Sequence, residues 1–130
     1  FSEHKEAELG QPALAQSFFN KLGSSDIIVI SFAEHNGSYT AAYKNIFDWA
    51  SRINQKVFQN KPMLLLATSP GPGGAASVLG AASASAPYFA GDVKASLSIP
   101  SFYDNFDSVT GTLSNEALLI DLKNAIKTLF

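Results

Sequence analysis

Two polar, glycine-containing segments of this chain have the residue types and spacing that could support ligand chemistry. The first is residues 33–39 (AEHNGSY), directly after the apolar run 27–32, and the second is residues 69–74 (SPGPGG), directly after the apolar run 63–68. Open α/β sheets bind ligands in the crevice at the carboxyl ends of their strands. If the two apolar runs are neighbouring parallel strands, the two segments form one site from two pieces.

The first segment is rich in hydrogen-bonding side chains, namely those of Glu34, His35, Asn36 and Ser38, while Gly37 allows close backbone approach. One interpretation is a polar cradle for a flat heterocycle. The other is a helix-entry loop in which Asn36 or Ser38 merely satisfies backbone donors. The residues alone leave both interpretations open.

The second segment could act as a phosphate loop, because free backbone N–H groups precede a predicted helix start. It has neither the Lys-Ser/Thr pair of a P-loop nor a G-x-G-x-x-G pattern. The simpler interpretation is a sharp turn folded by proline and glycine. The motif by itself favours the turn.

The sequence offers little support for a disulfide, a metal site or a set of catalytic side chains. There is no cysteine, and the two histidines, His4 and His35, are far apart in sequence, so neither a disulfide nor a metal site is expected. The carboxylates are scattered, and no Ser-His-Asp spacing is present. We therefore assign no catalytic residue and no metal ligand. The aromatic cluster Phe102, Tyr103 and Phe106 either packs internally or edges a site.

The composition indicates one globular domain spanning residues 1–130. A formal net charge of −2 gives no reason to expect nucleic acid or an anionic membrane as partner. No apolar run approaches the roughly 20 residues that a spanning helix needs. The absence of cysteine is compatible with a reducing compartment, and we expect a cytoplasmic protein.

Hydrophobic periodicity predicts the element order α-β-α-β-α-β-α, which implies a parallel sheet with helices on both faces. The predicted helices are 12–22, 40–52, 75–86 and one that follows residue 114; the predicted strands are 26–32, 63–68 and 93–99; and 101–111 is a loop. We expect Leu14, Phe18 and Leu22, with Ala15 and Phe19 beside them, to form one apolar stripe along the first helix and Gly23 to end it. We expect Ser114 to cap the last helix, whose predicted apolar face is Leu118, Leu119, Leu122, Ile126 and Leu129.

Both loop segments also resemble a known family pattern. Residues 33–38 and 43–49 are similar to Pro-Glu-Tyr-Asn-Gly-Ser followed by Leu-Lys-Asn-x-x-Asp-Trp, and residues 69–74 are similar to a second loop that begins Ser-Pro-Gly and ends Gly-Gly. These patterns mark the flavodoxin-like NAD(P)H-dependent FMN reductases. The resemblance implies a flavodoxin-like three-layer sandwich that binds FMN and uses NAD(P)H as co-substrate. It implies electron transfer to a quinone, flavin, azo or similar small-molecule acceptor, in a homodimer or tetramer.

The resemblance also implies which residues approach the flavin ring. By position these are Glu34, His35, Asn36, Gly37 and Ser38 from the first loop and Ser69, Pro70, Gly71, Gly73 and Gly74 from the second. The chain departs from the pattern at Ala33, where the family usually has proline, and at His35, where it usually has tyrosine. His35 at the tyrosine position, together with the absence of the family's phosphate loop, motivates an alternative function, a non-enzymatic flavodoxin-like electron carrier or a scaffold without cofactor.

The family's opening strand, phosphate loop, helix and second strand have no counterpart in this sequence. In the flavodoxin-like strand order 2-1-3-4-5, the chain supplies only the equivalents of strands 3, 4 and 5. We therefore expect residues 1–130 to be the C-terminal part of a single flavodoxin-like FMN reductase domain, either as a fragment or cleaved product or as a chain whose gap another chain fills. Because the phosphate carries most of the charge of FMN, we expect the 130 residues alone to bind FMN poorly.

Overall fold

Helices and strands alternate along the chain, as the sequence predicts. The computed structural model describes all of residues 1–130. The elements are α1 (Glu3–Leu9), α2 (Ala13–Ser24), β1 (Ile28–Phe32), β2 (Glu34–His35), β3 (Ser38–Tyr39), α3 (Ala41–Ile53), β4 (Pro62–Thr68), α4 (Ala76–Ser85), a 3-10 helix (Ala86–Phe89), β5 (Asp92–Ile99), α5 (Phe102–Asn105), β6 (Phe106–Asp107), β7 (Thr112–Leu113) and α6 (Glu116–Lys127). None of these helices combines the length and the apolar character that crossing a bilayer requires.

The central sheet has three parallel strands in the order β1-β4-β5. The middle strand β4 is covered on both faces: Met63 and Leu65 are buried toward one side and Leu64 toward the other. Burial on both faces explains why this strand is a continuous apolar run rather than an alternating one. Strand β1 pairs with β4 along one edge and with no strand along the other.

Helices cover both faces of the sheet and give three layers. The larger core lies under α2, α3 and α4, where the buried residues Ile28, Ala50, Val78 and Leu79 meet the partly buried Phe18 of α2. On the other face, α6 packs on β4 and β5 and buries Leu64, Ala125 and Leu129 together. The predicted three-layer α/β architecture, with strands equivalent to only part of a flavodoxin-like sheet, is confirmed.

The predicted apolar face of the first helix is wrong at one position, and its predicted end is wrong. Ala15 is buried and Phe18 and Leu22 pack against the core, as predicted, but Leu14 is 80% exposed. Gly23 lies inside α2, which continues to Ser24. A Cβ at Gly23 would lie 2.4 Å from Oε1 of Gln59, whose amide donates to the Phe19 carbonyl at 2.9 Å. Gly23 is therefore not a left-handed stop, and a side chain 36 residues further on packs directly on it.

The predicted cap of the last helix is displaced by one residue, and its predicted apolar face is wrong at one position. Asn115, not Ser114, caps α6, because its side chain accepts from the Leu118 N–H at 3.2 Å. The Asn115 amide also donates to Oδ1 of Asn105 at 3.1 Å, which ties this helix end to α5. Leu118, Leu119 and Leu122 are half-buried and Leu129 is buried, as predicted. Ile126 is 42% exposed, and its neighbour Ala125 is buried instead.

Several short elements were absent from the sequence prediction. The predicted loop 101–111 contains α5 and β6, and β6 pairs antiparallel with β7, which follows directly after the loop. Helix α1 precedes the predicted elements, and Ser2 caps it by accepting from the Lys5 N–H at 3.1 Å. Its neighbour Phe1 packs edge-on against Trp49 with ring centroids 4.9 Å apart. These elements are too short for periodicity to identify.

Candidate functional site

The parallel register brings the two predicted loops to the same edge of the sheet. Phe32, the last residue of β1, pairs with Ala67 of β4, so the segments that follow emerge side by side. Neighbouring strands in a sheet lie about 4.8 Å apart. The arrangement of both loops at adjacent strand ends is therefore as the sequence predicts.

The first loop is a small β-hairpin. Glu34 pairs with Tyr39 and His35 with Ser38, and Asn36 and Gly37 form the turn between them. The φ angles of Asn36 and Gly37 are 53° and 77°, in the left-handed region that tight two-residue hairpin turns require and that Asn-Gly adopts readily.

The helix that follows the hairpin has its own cap. Thr40 caps α3, because its hydroxyl accepts from the Tyr43 N–H at 3.1 Å. Neither Asn36 nor Ser38 performs this task, so the interpretation of the segment as a plain helix-entry loop is wrong.

The hairpin presents one set of side chains to solvent and holds another against the protein. His35, Asn36 and Ser38 are exposed. Glu34 is half-buried, and its Oε1 accepts from the Val78 N–H of α4 at 2.8 Å. Of the four polar side chains predicted for this loop, three are free to meet a ligand and one is already engaged.

Tyr39 anchors the far end of the hairpin and was not among the predicted site residues. Its ring stacks on Tyr43 with centroids 5.3 Å apart, and its hydroxyl lies 3.3 Å from the Ser85 Oγ. Burial, with a smaller contribution from the neighbouring Tyr39, raises the pKa of the Tyr43 hydroxyl far above its usual range, so this phenol stays neutral. The sequence signal that could have identified Tyr39 is an aromatic residue placed two positions after an Asn-Gly turn.

The second loop is a sharp turn that leads directly into a helix. The Gly74 N–H donates to the Gly71 carbonyl at 3.3 Å, and Gly74 and Ala75 both have a φ of 58° before α4 begins at Ala76. The backbone N–H groups of Gly71 and Gly73 donate no hydrogen bond within the protein, and Gly73 is exposed. The loop therefore offers backbone donors as well as a turn.

Gly74 differs from the other predicted residues of the second loop because it is buried. A Cβ at this position would lie 2.2 Å from the Ser98 Oγ and 3.0 Å from the backbone of Pro100. The Ser98 hydroxyl donates to the Gly74 carbonyl at 2.7 Å. The conformation of Gly74 thus lets the loop pack tightly on the end of β5.

A third segment supports the second loop from behind. The N–H of Ser101 donates to the Gly71 carbonyl at 2.9 Å, and that of Phe102 donates to the Ser69 carbonyl at 3.0 Å. Phe102 stacks on Phe106 with centroids 4.9 Å apart, while Tyr103 is exposed. The aromatic cluster therefore packs internally through two of its members and also lies next to the candidate site. Because β5 is the third parallel strand, the rule for strand ends could have identified this segment.

A cavity of about 310 Å³ lies between α3 and α4. It shares Phe32 and Tyr39 with the neighbourhood of the hairpin, but none of the ten predicted site residues lines it. Its wall is mostly aromatic and aliphatic, with Tyr43, Phe47, Phe58 and Phe89 among its members. The predicted residues instead form a surface made by loops at the edge of the sheet.

The loops carry almost no charge. Neither 33–39 nor 69–74 contains lysine or arginine, and their one carboxylate, that of Glu34, is bonded to α4. No group of three or more His, Cys, Asp or Glu side chains is placed to hold a metal ion. The loops thus provide neutral donors and acceptors, which suit an uncharged heterocycle better than a phosphate.

Comparison with known proteins identifies the family. The family model for NADPH-dependent FMN reductases matches residues 1–102, a stretch that contains both loops. This chain belongs to that family. The prediction made from the two loop patterns is confirmed.

Individual members of the family match about half of this chain. An NAD(P)H-dependent FMN reductase of Pseudomonas aeruginosa is 34% identical over 68 residues, which are 52% of this chain and 37% of that protein. An NADPH:quinone oxidoreductase of Arabidopsis thaliana is 36% identical over 66 residues, 51% of this chain and 33% of that protein. A quinone reductase of Escherichia coli K12 is 33% identical over 64 residues, 49% of this chain and 34% of that protein. The matched part is thus about a third of the length of these relatives.

A solved structure shares the fold. The flavoenzyme NAD(P)H:(acceptor) oxidoreductase FerB from Paracoccus denitrificans superimposes with a TM-score of 0.73. The superposition covers 99% of this chain and 71% of FerB, at 22% sequence identity. The flavodoxin-like fold of the chain is therefore established over nearly its whole length.

Proposed function

We propose that this chain forms the flavin-ring part of an NAD(P)H-dependent FMN oxidoreductase that passes electrons to a small-molecule acceptor. The observation that carries the proposal is the pair of uncharged loops at the ends of β1 and β4, with hydrogen-bonding groups that no protein partner uses. Membership of the FMN reductase family supports the same cofactor and the same co-substrate.

The groups present in the two loops fit an isoalloxazine ring. The N–H groups of Gly71 and Gly73 would donate to its carbonyl and nitrogen acceptors, and the side chains of His35, Asn36 and Ser38 would meet its other edge. Pro70 is exposed beside them, and Ser69 helps to shape the turn by donating to the Gly71 carbonyl at 3.3 Å. FMN, when bound, supplies the hydride chemistry, whereas the protein supplies binding, orientation and polarity. This division explains why no catalytic acid–base set is needed.

The acceptor that we favour is a quinone. Relatives from Arabidopsis thaliana and Escherichia coli are named as quinone reductases, which supports a flat, uncharged acceptor. A flavin or an azo compound has a similar shape and remains compatible with the same surface. We propose a cytoplasmic location, and the net charge of −2 gives no reason to expect a nucleic-acid partner.

The experiment that tests the proposed function uses the natural full-length protein. We expect it to purify yellow, or to take up added FMN, and to bleach when NADH or NADPH is added without oxygen. Recovery of the colour on addition of a quinone would support the acceptor class. A colourless protein that fails to bind added FMN would contradict the proposal.

The second candidate is a non-enzymatic flavodoxin-like module, favoured by the replacement of the family's tyrosine with His35. Steady-state oxidation of NAD(P)H separates the two candidates. Flavin that binds but does not turn over with nicotinamide would indicate an electron carrier. No flavin at all would indicate a scaffold.

We also propose that the natural protein self-associates. The aromatic residues of α3 lie on two sides: Trp49 is covered by Phe1, while Tyr43 and Phe47 line the cavity between α3 and α4. These rings are covered within the chain, so the support for self-association is the outer edge of β1, which pairs with no strand; unpaired strand edges readily pair with another chain. Light scattering at micromolar concentration should give a dimer or tetramer, and a monomeric mass would refute the prediction.

A further inference from the structure

We propose that Glu34 is a positioning residue, which fastens the hairpin to the start of α4 and so sets the spacing between the two loops of the candidate site. Its carboxylate does this through one hydrogen bond, from the Val78 N–H to Oε1 at 2.8 Å. The inference rests on the proposed function, because it concerns the same flavin site.

Helix α4 has no N-terminal capping side chain next to it in sequence, so the bond from Glu34 takes the place of a cap. The residue before the helix is Ala75, which has no side-chain acceptor, and the first turn contains no acidic residue. The first N–H groups of a helix lack intrahelical partners, and a negative charge beside them is favourable. Glu34 is 44 residues away in sequence, yet it supplies both the acceptor and the charge.

The hairpin is also attached near the other end of the same helix. Tyr39 is the cross-strand partner of Glu34, and its hydroxyl lies 3.3 Å from the Oγ of Ser85, the last residue of α4. The hairpin therefore lies along α4, with Glu34 near the start of the helix and Tyr39 near its end.

The alternation of side chains along a strand determines what this attachment does for the site. Residues one apart on a strand point to opposite faces, so the Glu34–Tyr39 pair and the His35–Ser38 pair face opposite ways. The first pair is half-buried against the protein, and the second is exposed. The Glu34 bond thus orients the face that carries His35 and Ser38.

The same bond relates the first loop to the second. The second loop ends at Gly74, and α4 begins two residues later at Ala76. A hairpin fixed to Val78 is consequently fixed relative to the donors of Gly71 and Gly73. Without the carboxylate, the hairpin would be held mainly near Tyr39, and its turn would lose its fixed distance from the second loop.

The test compares Glu34→Ala and Glu34→Gln in the natural full-length protein. Glutamine has the same reach and keeps an oxygen that accepts from the Val78 N–H, whereas alanine does not. We expect FMN to bind Glu34→Ala at least tenfold more weakly, as measured by quenching of flavin fluorescence. We expect Glu34→Gln to bind FMN within about threefold of the unsubstituted protein, because its side-chain oxygen still accepts from the Val78 N–H and only the charge is lost.

A second measurement follows the hydrogen bond without flavin. In amide NMR spectra, we expect the Val78 resonance to move upfield and its hydrogen exchange to accelerate in Glu34→Ala, but not in Glu34→Gln. Glu34→Asp, whose shorter carboxylate reaches less far, should be intermediate and serves if the alanine variant folds poorly. Glu8→Ala, which removes an exposed carboxylate of α1, is the matched control and should change neither readout.

The possible outcomes separate the inference from the proposed function. If the unsubstituted protein binds no FMN, the proposed function fails, while the Val78 resonance still reports whether Glu34 holds α4. If the unsubstituted protein binds FMN and Glu34→Ala binds it equally well, the positioning role is overturned. It is also overturned if Glu34→Gln keeps the Val78 bond but loses FMN as strongly as alanine does, because the carboxylate would then act on the ligand itself.

Discussion

Replacement of Gly74 by alanine should lower the free energy of unfolding by about 2–5 kcal/mol. Two costs combine: a left-handed φ for a residue with a Cβ costs about 1–2 kcal/mol, and overpacking costs about 1–3 kcal/mol. The φ of Gly74 is +58°, and its Cβ would lie 2.2 Å from the Ser98 Oγ and 3.0 Å from the backbone of Pro100. The serine hydroxyl can rotate away, but the proline backbone cannot. Urea denaturation followed by circular dichroism measures the loss.

Gly73→Ala is the matched control for this substitution. Gly73 is exposed, and a Cβ there would have no atom within 4 Å. We expect its free energy of unfolding to change by no more than about 0.5 kcal/mol, the usual range for exposed positions. Equal losses from both substitutions would show that the second loop does not pack on the end of β5 in the manner described.

Replacement of Leu65 by alanine should cost a similar amount, about 2–5 kcal/mol, for a different reason. Leu65 is 1% exposed in the central strand and lines the cavity between α3 and α4. Removing its side chain enlarges a space that already exists, so the surrounding core can collapse around it only partially. Since the stability of a domain is about 5–15 kcal/mol, this loss should be visible as a clearly lower midpoint in thermal unfolding.

The same chemical change at Leu14 provides the control. Leu14 is 80% exposed on α2, and alanine is an excellent helix former, so Leu14→Ala should alter the unfolding free energy by less than about 0.5 kcal/mol. A large effect at Leu14 together with a small one at Leu65 would contradict the described core.

The sheet and the position of the site could be predicted from sequence because both depend on local patterns. The run at 63–68 is apolar without alternation, which is typical of a strand buried on both faces. Three apolar runs that alternate with helices predict a parallel sheet. Both loops follow strands of this sheet, so they are expected at its carboxyl edge. No contact between distant residues had to be known.

Several of the errors and omissions have the opposite character, because they depend on a partner far away in sequence. The side chain of Gln59 packs on Gly23, and the Glu34 carboxylate accepts from the Val78 N–H. The support of the second loop by Ser101 likewise comes from another strand end. The Asn36–Gly37 turn is a local hairpin signal, but its strands are only two residues long and give no detectable alternation.

The two faces of the hairpin have a consequence for how this surface can diversify. The side chains that fasten the hairpin, Glu34 and Tyr39, are not the ones that it displays, His35 and Ser38. A change on the displayed face therefore leaves the contacts of Glu34 and Tyr39 with α4 in place. His35, which stands where the family pattern usually has tyrosine, lies on that displayed face. The exposed face can thus vary in sequence while the hairpin keeps its place on α4.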